Sequence, residues 1–161
     1  MARLLLILPT ATYRASDFLD AAAQAGAEVV VASERRQLLA DTMKDQFLHI
    51  DLRRPESAAD AIVALSRQRP LDGIVAVDDQ GVVTATLAAA RLGLPHNPPE
   101  AVLATRDKLA MRDALAGAEV RQPRYAAVGP DDDIAEAATS VGFPCVVKPP
   151  SLSASRGVIR A

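Results

Sequence analysis

The sequence is poor in the residues on which several common functions depend. Of its 161 residues one is a cysteine, Cys145, so an internal disulfide is excluded and the chain is compatible with a reducing compartment. Tryptophan is absent and aromatic residues make up 3% of the chain, too few for the stacking platforms that bind single-stranded nucleic acid. The formal net charge is -2 and no basic stripe runs along the chain. We therefore expect no nucleic-acid partner.

Long apolar runs are lacking as well. Residues 4–8 are five consecutive apolar residues, but Pro9 follows them, and such a run is too short for a signal sequence or a membrane span. No membrane partner is expected, and a cytoplasmic location follows by default. The two histidines, His49 and His96, have neither a cysteine pair nor an acidic partner at ligand spacing, so the sequence predicts no zinc site.

What the first hundred residues do contain is an alternation of short apolar runs and amphipathic segments. The apolar runs predict strands at 4–8, 28–32, 46–50 and 73–77. Helical spacing of apolar residues predicts a first helix with Ser16 as its N-cap, and further helices over 55–68 and 80–92. Strands that alternate with helices predict an α/β fold with a parallel, doubly wound, Rossmann-like sheet.

Two loops at the carboxyl ends of the predicted strands are candidates for substrate contacts, because ligands of such sheets bind at that edge. The loop after the first strand carries Thr10, Thr12 and Arg14, and Asp78 follows the fourth strand. Arginine can pair bidentately with a carboxylate or a phosphate. The alternative interpretation is a polar loop that leads to a helix, with Asp78 or the neighbouring Asp79 as a helix cap. The first loop lacks the glycines of a dinucleotide fingerprint, which disfavours an NAD-dependent oxidoreductase.

A segment rich in proline and glycine, residues 92–99, predicts a boundary between a domain at 1–95 and a second one at 96–161. In the second part, helices are predicted over 109–116 and 132–141, and strands over 124–128, 145–148 and from 158 onward. The run Asp131-Asp132-Asp133 precedes a helix, so we interpret it as favourable charge at a helix start and not as a metal site.

Three motifs in the second part together resemble the ATP-grasp superfamily of carboxylate–amine ligases. They are Asp107-Lys108 at a helix start, the run Gly-Phe-Pro-Cys-Val-Val-Lys-Pro at 142–149, and a loop of small residues that ends in Gly157-Val158. The first hundred residues resemble the Rossmann-like domain that precedes ATP-grasp domains. The resemblance implies a Rossmann-like domain followed by the first part of an ATP-grasp α+β subdomain.

The resemblance also implies the ligands. ATP and Mg²⁺ are the expected cofactors, and the lysines are expected to contact the α- and β-phosphates beneath a loop that closes over them. Fixed positive charge and nearby backbone donors are what a triphosphate requires. The candidate nucleotide contacts are Lys108, Lys148, Ser151, Ser153, Ser155 and Gly157. The loop departs from the family in having Gly157 as its one glycine, which bears on its closing motion.

By resemblance, the parent protein activates a carboxylate as an acyl phosphate and couples it to an amine. A small-molecule carboxylate and amine are therefore the expected partners, and a homodimer is left open. The Mg²⁺ ligands are expected beyond residue 161 and no catalytic residue is assigned, so the chain is expected to be an N-terminal fragment without turnover of its own. The alternative is a non-catalytic Rossmann-like module that binds a small ligand or a partner subunit.

Overall fold

A four-stranded parallel sheet organises the first part of the chain in the computed structural model, which describes residues 1–10, 14–35, 46–152 and 155–161. The strands stand in the order β3-β2-β1-β4. Their bounds are β1 Arg3–Ile7, β2 Glu28–Ser33, β3 Phe47–His49 and β4 Gly73–Ala76. The order places β1 between β2 and β4, so the chain crosses back over the sheet before β4, as expected for a doubly wound fold.

Helices cover both faces of this sheet: α1 Ala15–Gln24, α2 Pro55–Gln68 and α3 Val82–Leu92. Successive side chains of a strand point to opposite faces, and the core divides accordingly. Leu5 and Ile7 of β1 pack in the cluster that includes Ile62 of α2 and Ala88 of α3. Leu6 and Leu8 pack on the other face, where α1 supplies apolar side chains. The uninterrupted apolar run at 4–8 is thus explained by burial on both faces, as predicted.

Helix α1 begins earlier than predicted and without the predicted cap. It starts at Ala15, its N-cap is Arg14, and no side chain caps it. Arg14 instead lies 3.8 Å from Asp17 and 5.6 Å from the centroid of the Phe18 ring. The expectation that Ser16 caps this helix was wrong.

A network of charged groups joins the strands at the amino-terminal edge of the sheet. Glu28 and Arg3 stand opposite each other in register, and both side chains are about nine-tenths buried. The carboxylate of Glu28 accepts hydrogen bonds from both terminal nitrogens of the Arg69 guanidinium group. The backbone N–H of Arg3 donates to the carboxylate of Asp72 at 2.7 Å. Arg3 Nε lies 3.3 Å from Glu28 but lacks hydrogen-bond geometry, so that attraction is Coulombic.

The second part of the chain forms four further elements and shares a fifth with the first. Helix α4 Pro99–Arg106 was not predicted; it is followed by α5 Lys108–Gly117, α6 Ile134–Val141 and the antiparallel pair β5 Val146–Val147 and β6 Ile159–Arg160. The predicted strand at 124–128 is not formed. Tyr125 donates instead from its hydroxyl to Asp113 of α5 at 2.9 Å, and Gln122 bonds to the backbone of Arg112.

The chain divides into two compact units, Met1–Val102 and Leu103–Ala161, and the division falls within α4. Burial differs sharply between them: the first unit contains the buried core, whereas no described residue from 103 onward is buried. Phe143, Val146 and Ile159 are all more than half exposed. No helix among the described residues is long and apolar enough to cross a membrane.

Candidate functional site

Lys108 is held at the first turn of α5 by its neighbour. Asp107 is the N-cap, and its carboxylate accepts hydrogen bonds from the backbone N–H groups of Leu109 and Ala110 at 2.8 and 3.0 Å. Aspartate is a preferred N-cap because it satisfies donors that the helix leaves unpaired. The cap therefore fixes the backbone from which the Lys108 side chain departs.

The Lys108 side chain reaches the candidate phosphate loop. Its Nζ donates to the carbonyl oxygens of Pro150 at 3.2 Å and Leu152 at 2.5 Å, and its backbone N–H donates to Pro150 at 3.0 Å. The structure thus brings together one predicted lysine and the first half of the predicted loop. The sequence motif indicated Lys108 but not the carbonyl groups that it binds, which are 42 and 44 residues away.

Lys148 follows β5 directly and stands in a different environment. Its side chain is exposed, and among the described residues nothing hydrogen-bonds or pairs with it. Beyond the two strands of the hairpin, Cys145 and Ala161 exchange two backbone hydrogen bonds of 3.0 Å, which extends the ladder by one pair. In the part of the chain that the structure describes, the Lys148 ammonium therefore has no partner, and it lies where the hairpin strand β5 leads into the loop.

The far end of the loop returns to the residue after Lys148. A Cβ built on Gly157 would lie 2.8 Å from Cγ of Pro149, closer than real Cβ atoms approach, and the φ of Gly157 is +70°. Both observations require glycine, because a side chain would collide and a left-handed backbone strains other residues. Ser155 also has a positive φ, of 57°, and is exposed like Ser151. Ser153 lies outside the described residues.

Two of the substrate candidates of the first unit, Thr10 and Asp78, follow the carboxyl ends of β1 and β4. Ile7 of β1 and Ala76 of β4 are partners in register, so the loops that follow them leave the same edge of the sheet. Thr10 is exposed, and Arg14 has the local partners described above. Asp78 accepts a hydrogen bond from the backbone N–H of Gln80 at 2.9 Å, a turn that leads to α3. Thr12 lies outside the described residues.

The acidic run before α6 has a structural role. Asp133 is the N-cap of α6 and accepts hydrogen bonds from Ala135 and Glu136 at 2.8 and 3.1 Å, and Asp132 accepts one from Gly129 at 2.6 Å. This agrees with the predicted helix start. Within the part of the chain that the structure describes, no group of three metal-ligating side chains is present.

Comparison with known proteins gives one match to a protein family and two structural relatives. Residues 19–96 match the ATP-grasp N-terminal domain. The L-amino acid ligase from Bacillus licheniformis is 20% identical, with a TM-score of 0.75 over 100% of this chain and 39% of that protein. The phosphoribosylglycinamide synthetase from Anaerococcus prevotii is 21% identical, with a TM-score of 0.63 over 94% of this chain and 37% of that one. No curated protein sequence matches.

The parallel sheet with helices on both faces defines the class, a Rossmann-like α/β fold. Within that class, residues 19–96, just under half of the chain, are similar to the ATP-grasp N-terminal domain. The chain spans less than two fifths of the length of either structural relative.

Proposed function

We propose that this chain is the N-terminal part of an ATP-dependent carboxylate–amine ligase and that Lys148 and the loop after it bind the phosphates of ATP. The observation that supports this most strongly is the ammonium of Lys148, which is exposed at the start of the loop and has no partner among the described residues. A lysine without a described protein partner has its charge available for an anion. The match of residues 19–96 to the ATP-grasp N-terminal domain supports the same proposal independently.

The loop fits a phosphate because little side-chain bulk stands between its backbone and an approaching anion. The serines proposed as contacts are Ser151, Ser153 and Ser155, whose hydroxyls and N–H groups are donors that phosphate oxygens accept. Gly157 completes the loop without a Cβ against Pro149. Lys108 is the second proposed phosphate contact; its ammonium has three donors, and two of them go to loop carbonyls.

In the proposed reaction, ATP phosphorylates a carboxylate and an amine then displaces phosphate from the acyl group. The residues of this chain contribute positive charge and positioning, which is how proteins assist phosphoryl transfer. Mg²⁺ would neutralise developing charge. The described residues do not offer it a ligand set, so we assign it no step here; its ligands are proposed to lie beyond residue 161.

The first unit is proposed to supply substrate contacts at the carboxyl edge of its sheet. Arg14, with Thr10 and Thr12 beside it in sequence, would bind a carboxylate, and Asp78 would accept hydrogen bonds from an amine or a hydroxyl. The printed names of the two structural relatives, an L-amino acid ligase and a phosphoribosylglycinamide synthetase, support small-molecule carboxylate and amine substrates. A homodimer remains part of this proposal.

The domain division proposed from the sequence, 1–95 and 96–161, makes the second domain an incomplete subdomain. Its apolar side chains support this, because no described residue beyond 102 is buried. A unit that buries so little cannot build a complete core of its own. We therefore expect the chain alone to bind phosphate weakly and to lack ligase turnover.

The test is equilibrium binding to purified protein, measured by calorimetry with ATP, inorganic tripolyphosphate and adenosine. We expect ATP and tripolyphosphate to bind with similar millimolar affinity, because the contacts are to phosphate, and adenosine not to bind. Lys148→Met should weaken both, whereas Arg121→Met removes an exposed cation of the same unit and should change neither. Failure of both polyphosphates to bind would refute the site.

A second assay addresses turnover. ADP release from ATP in the presence of Mg²⁺ and mixed amino acids should be absent for this chain; ADP formation would show that the expected inactivity is wrong. If no polyphosphate binds and light scattering shows a dimer, the alternative of a non-catalytic module that binds a subunit is favoured instead.

A further inference from the structure

The two candidate lysines differ in environment. Lys148 is exposed and has no described partner. Lys108 is half-buried, and its ammonium already donates to two carbonyl oxygens of the loop that begins after Lys148. Two lysines that both served only to bind phosphate would be expected to have similar exposure and similar hydrogen-bond partners. The difference in these contacts indicates that the two lysines have different roles.

The contacts of Lys108 converge on a short stretch of the loop. Both its backbone N–H and its Nζ reach the carbonyl of Pro150, and the Nζ also reaches Leu152. Bonds from an ammonium to a carbonyl are charge-assisted and stronger than neutral ones. Pro149 and Pro150 have no N–H groups, so this stretch cannot be held in place through its own backbone donors at these two residues. It is held instead through its carbonyl groups, which accept hydrogen bonds from Lys108.

The base from which Lys108 reaches the loop is itself fixed. The carboxylate of Asp107 accepts hydrogen bonds from the N–H groups of Leu109 and Ala110, and the N–H of Lys108 donates to Pro150 instead. The backbone N–H and the ammonium of Lys108 thus donate to the same carbonyl, that of Pro150, from a helix start that Asp107 fixes.

We propose that Lys108 is a positioning residue that anchors residues 150–152 of the loop before any nucleotide binds, while Lys148 is the cation left open for the phosphate. The significance of this anchor for ATP rests on the proposed function, but its existence does not. The third donor of the Lys108 ammonium remains, so the anchored residue also retains one bond for a phosphate oxygen.

The first test uses the unaltered protein without nucleotide. The chain has three lysines, and brief treatment with limiting acetic anhydride followed by peptide mass spectrometry gives the relative rate at each of them. Lys108 should react at least roughly fivefold more slowly than Lys148, the factor that corresponds to about one net hydrogen bond. Equal rates at the two lysines would overturn the anchor.

The second test measures the loop itself. Trypsin can cut after Arg156, within the loop, and intact-mass spectrometry follows the product that ends there. Lys108→Met removes the ammonium but keeps the aliphatic stem, and it should accelerate this cut about fivefold. Arg121→Met, an exposed cation of the same unit, should leave the rate unchanged. An unchanged rate in Lys108→Met would contradict the proposal.

Loss of folding is distinguished by a reference site. If Lys108→Met unfolds the second unit, the cut after Arg124 accelerates in parallel, and the acetylation rates of the unaltered protein then decide. Both measurements are made without nucleotide. A chain that fails to bind ATP but protects Lys108 refutes the proposed function and leaves the anchor standing; the reverse result refutes the anchor alone.

Discussion

The buried charge network at the amino-terminal edge of the sheet permits a quantitative prediction for Glu28→Gln. The side chains of Glu28 and Arg3 are 10% and 9% exposed, whereas Arg69, the other partner of Glu28, is 63% exposed. Substitution leaves the Arg3 charge buried without its counter-charge. Breaking a fully buried pair costs about 3 to 5 kcal/mol.

Two features reduce the expected cost of Glu28→Gln. Arg3 keeps its hydrogen bond to the backbone carbonyl of Arg69, and the amide oxygen introduced by the substitution can still accept one hydrogen bond. The contribution of Arg69 is screened by solvent and counts for less than about 1 kcal/mol. We therefore expect a loss of about 2 kcal/mol in the free energy of unfolding of the first unit.

The assay is urea denaturation followed by far-ultraviolet circular dichroism, with hydrogen exchange of peptides from β1 and β2 to locate the effect. With a slope of about 2 kcal/mol/M, the midpoint should fall by about 1 M. The control is Glu56→Gln, because Glu56 pairs with Arg91 while its side chain is 68% exposed; its effect should stay below about 1 kcal/mol. Equal losses in the two variants would refute the argument from burial.

Two further predictions concern the second unit. Gly157→Ala should weaken polyphosphate binding at least as much as Lys148→Met does, because a Cβ collides with Pro149 and the φ is positive; Gly117→Ala, where nothing lies within 4 Å, should not, as calorimetry can show. The hydrogen bond to Asp113 raises the pKa of Tyr125 above its ordinary value near 10. The stabilisation from this contact is therefore present at neutral pH and is lost as the pH rises through the raised pKa. Absorbance titration of Asp113→Asn should show a tyrosine that ionises at lower pH than in the unaltered chain, and coincident titrations would contradict the assignment.

The alternation of strands and helices in the first hundred residues was sufficient to predict the parallel sheet. Burial on both faces requires continuous apolar runs such as residues 4–8, and helix starts and ends have local signals. Helix α4 was missed although Pro99 and Glu100 are typical of a first turn, because the proline-rich segment before it suggested only a boundary.

The remainder depended on contacts that are distant in sequence. Tyr125 and Val128 have strand propensity, but a strand forms only with a partner, and no described strand pairs with residues 124–128. Tyr125 packs on α5 instead, with Arg112 5.7 Å from its ring centroid. Similarly, Lys108 was identifiable from its motif, whereas its attachment to Pro150 and Leu152 joins backbone groups that no local pattern encodes.

The central claim, that Lys148 binds the phosphates of ATP, is tested most directly by observing its ammonium group. Reductive ¹³C-methylation labels the N-terminal amine and the three lysines, Lys44, Lys108 and Lys148, and keeps their charge; each lysine signal is assigned by a Lys→Arg variant. On titration with ATP or tripolyphosphate, the Lys148 signal should shift and saturate, and adenosine should leave it unchanged. A Lys148 signal that stays in place at saturating polyphosphate would contradict the account.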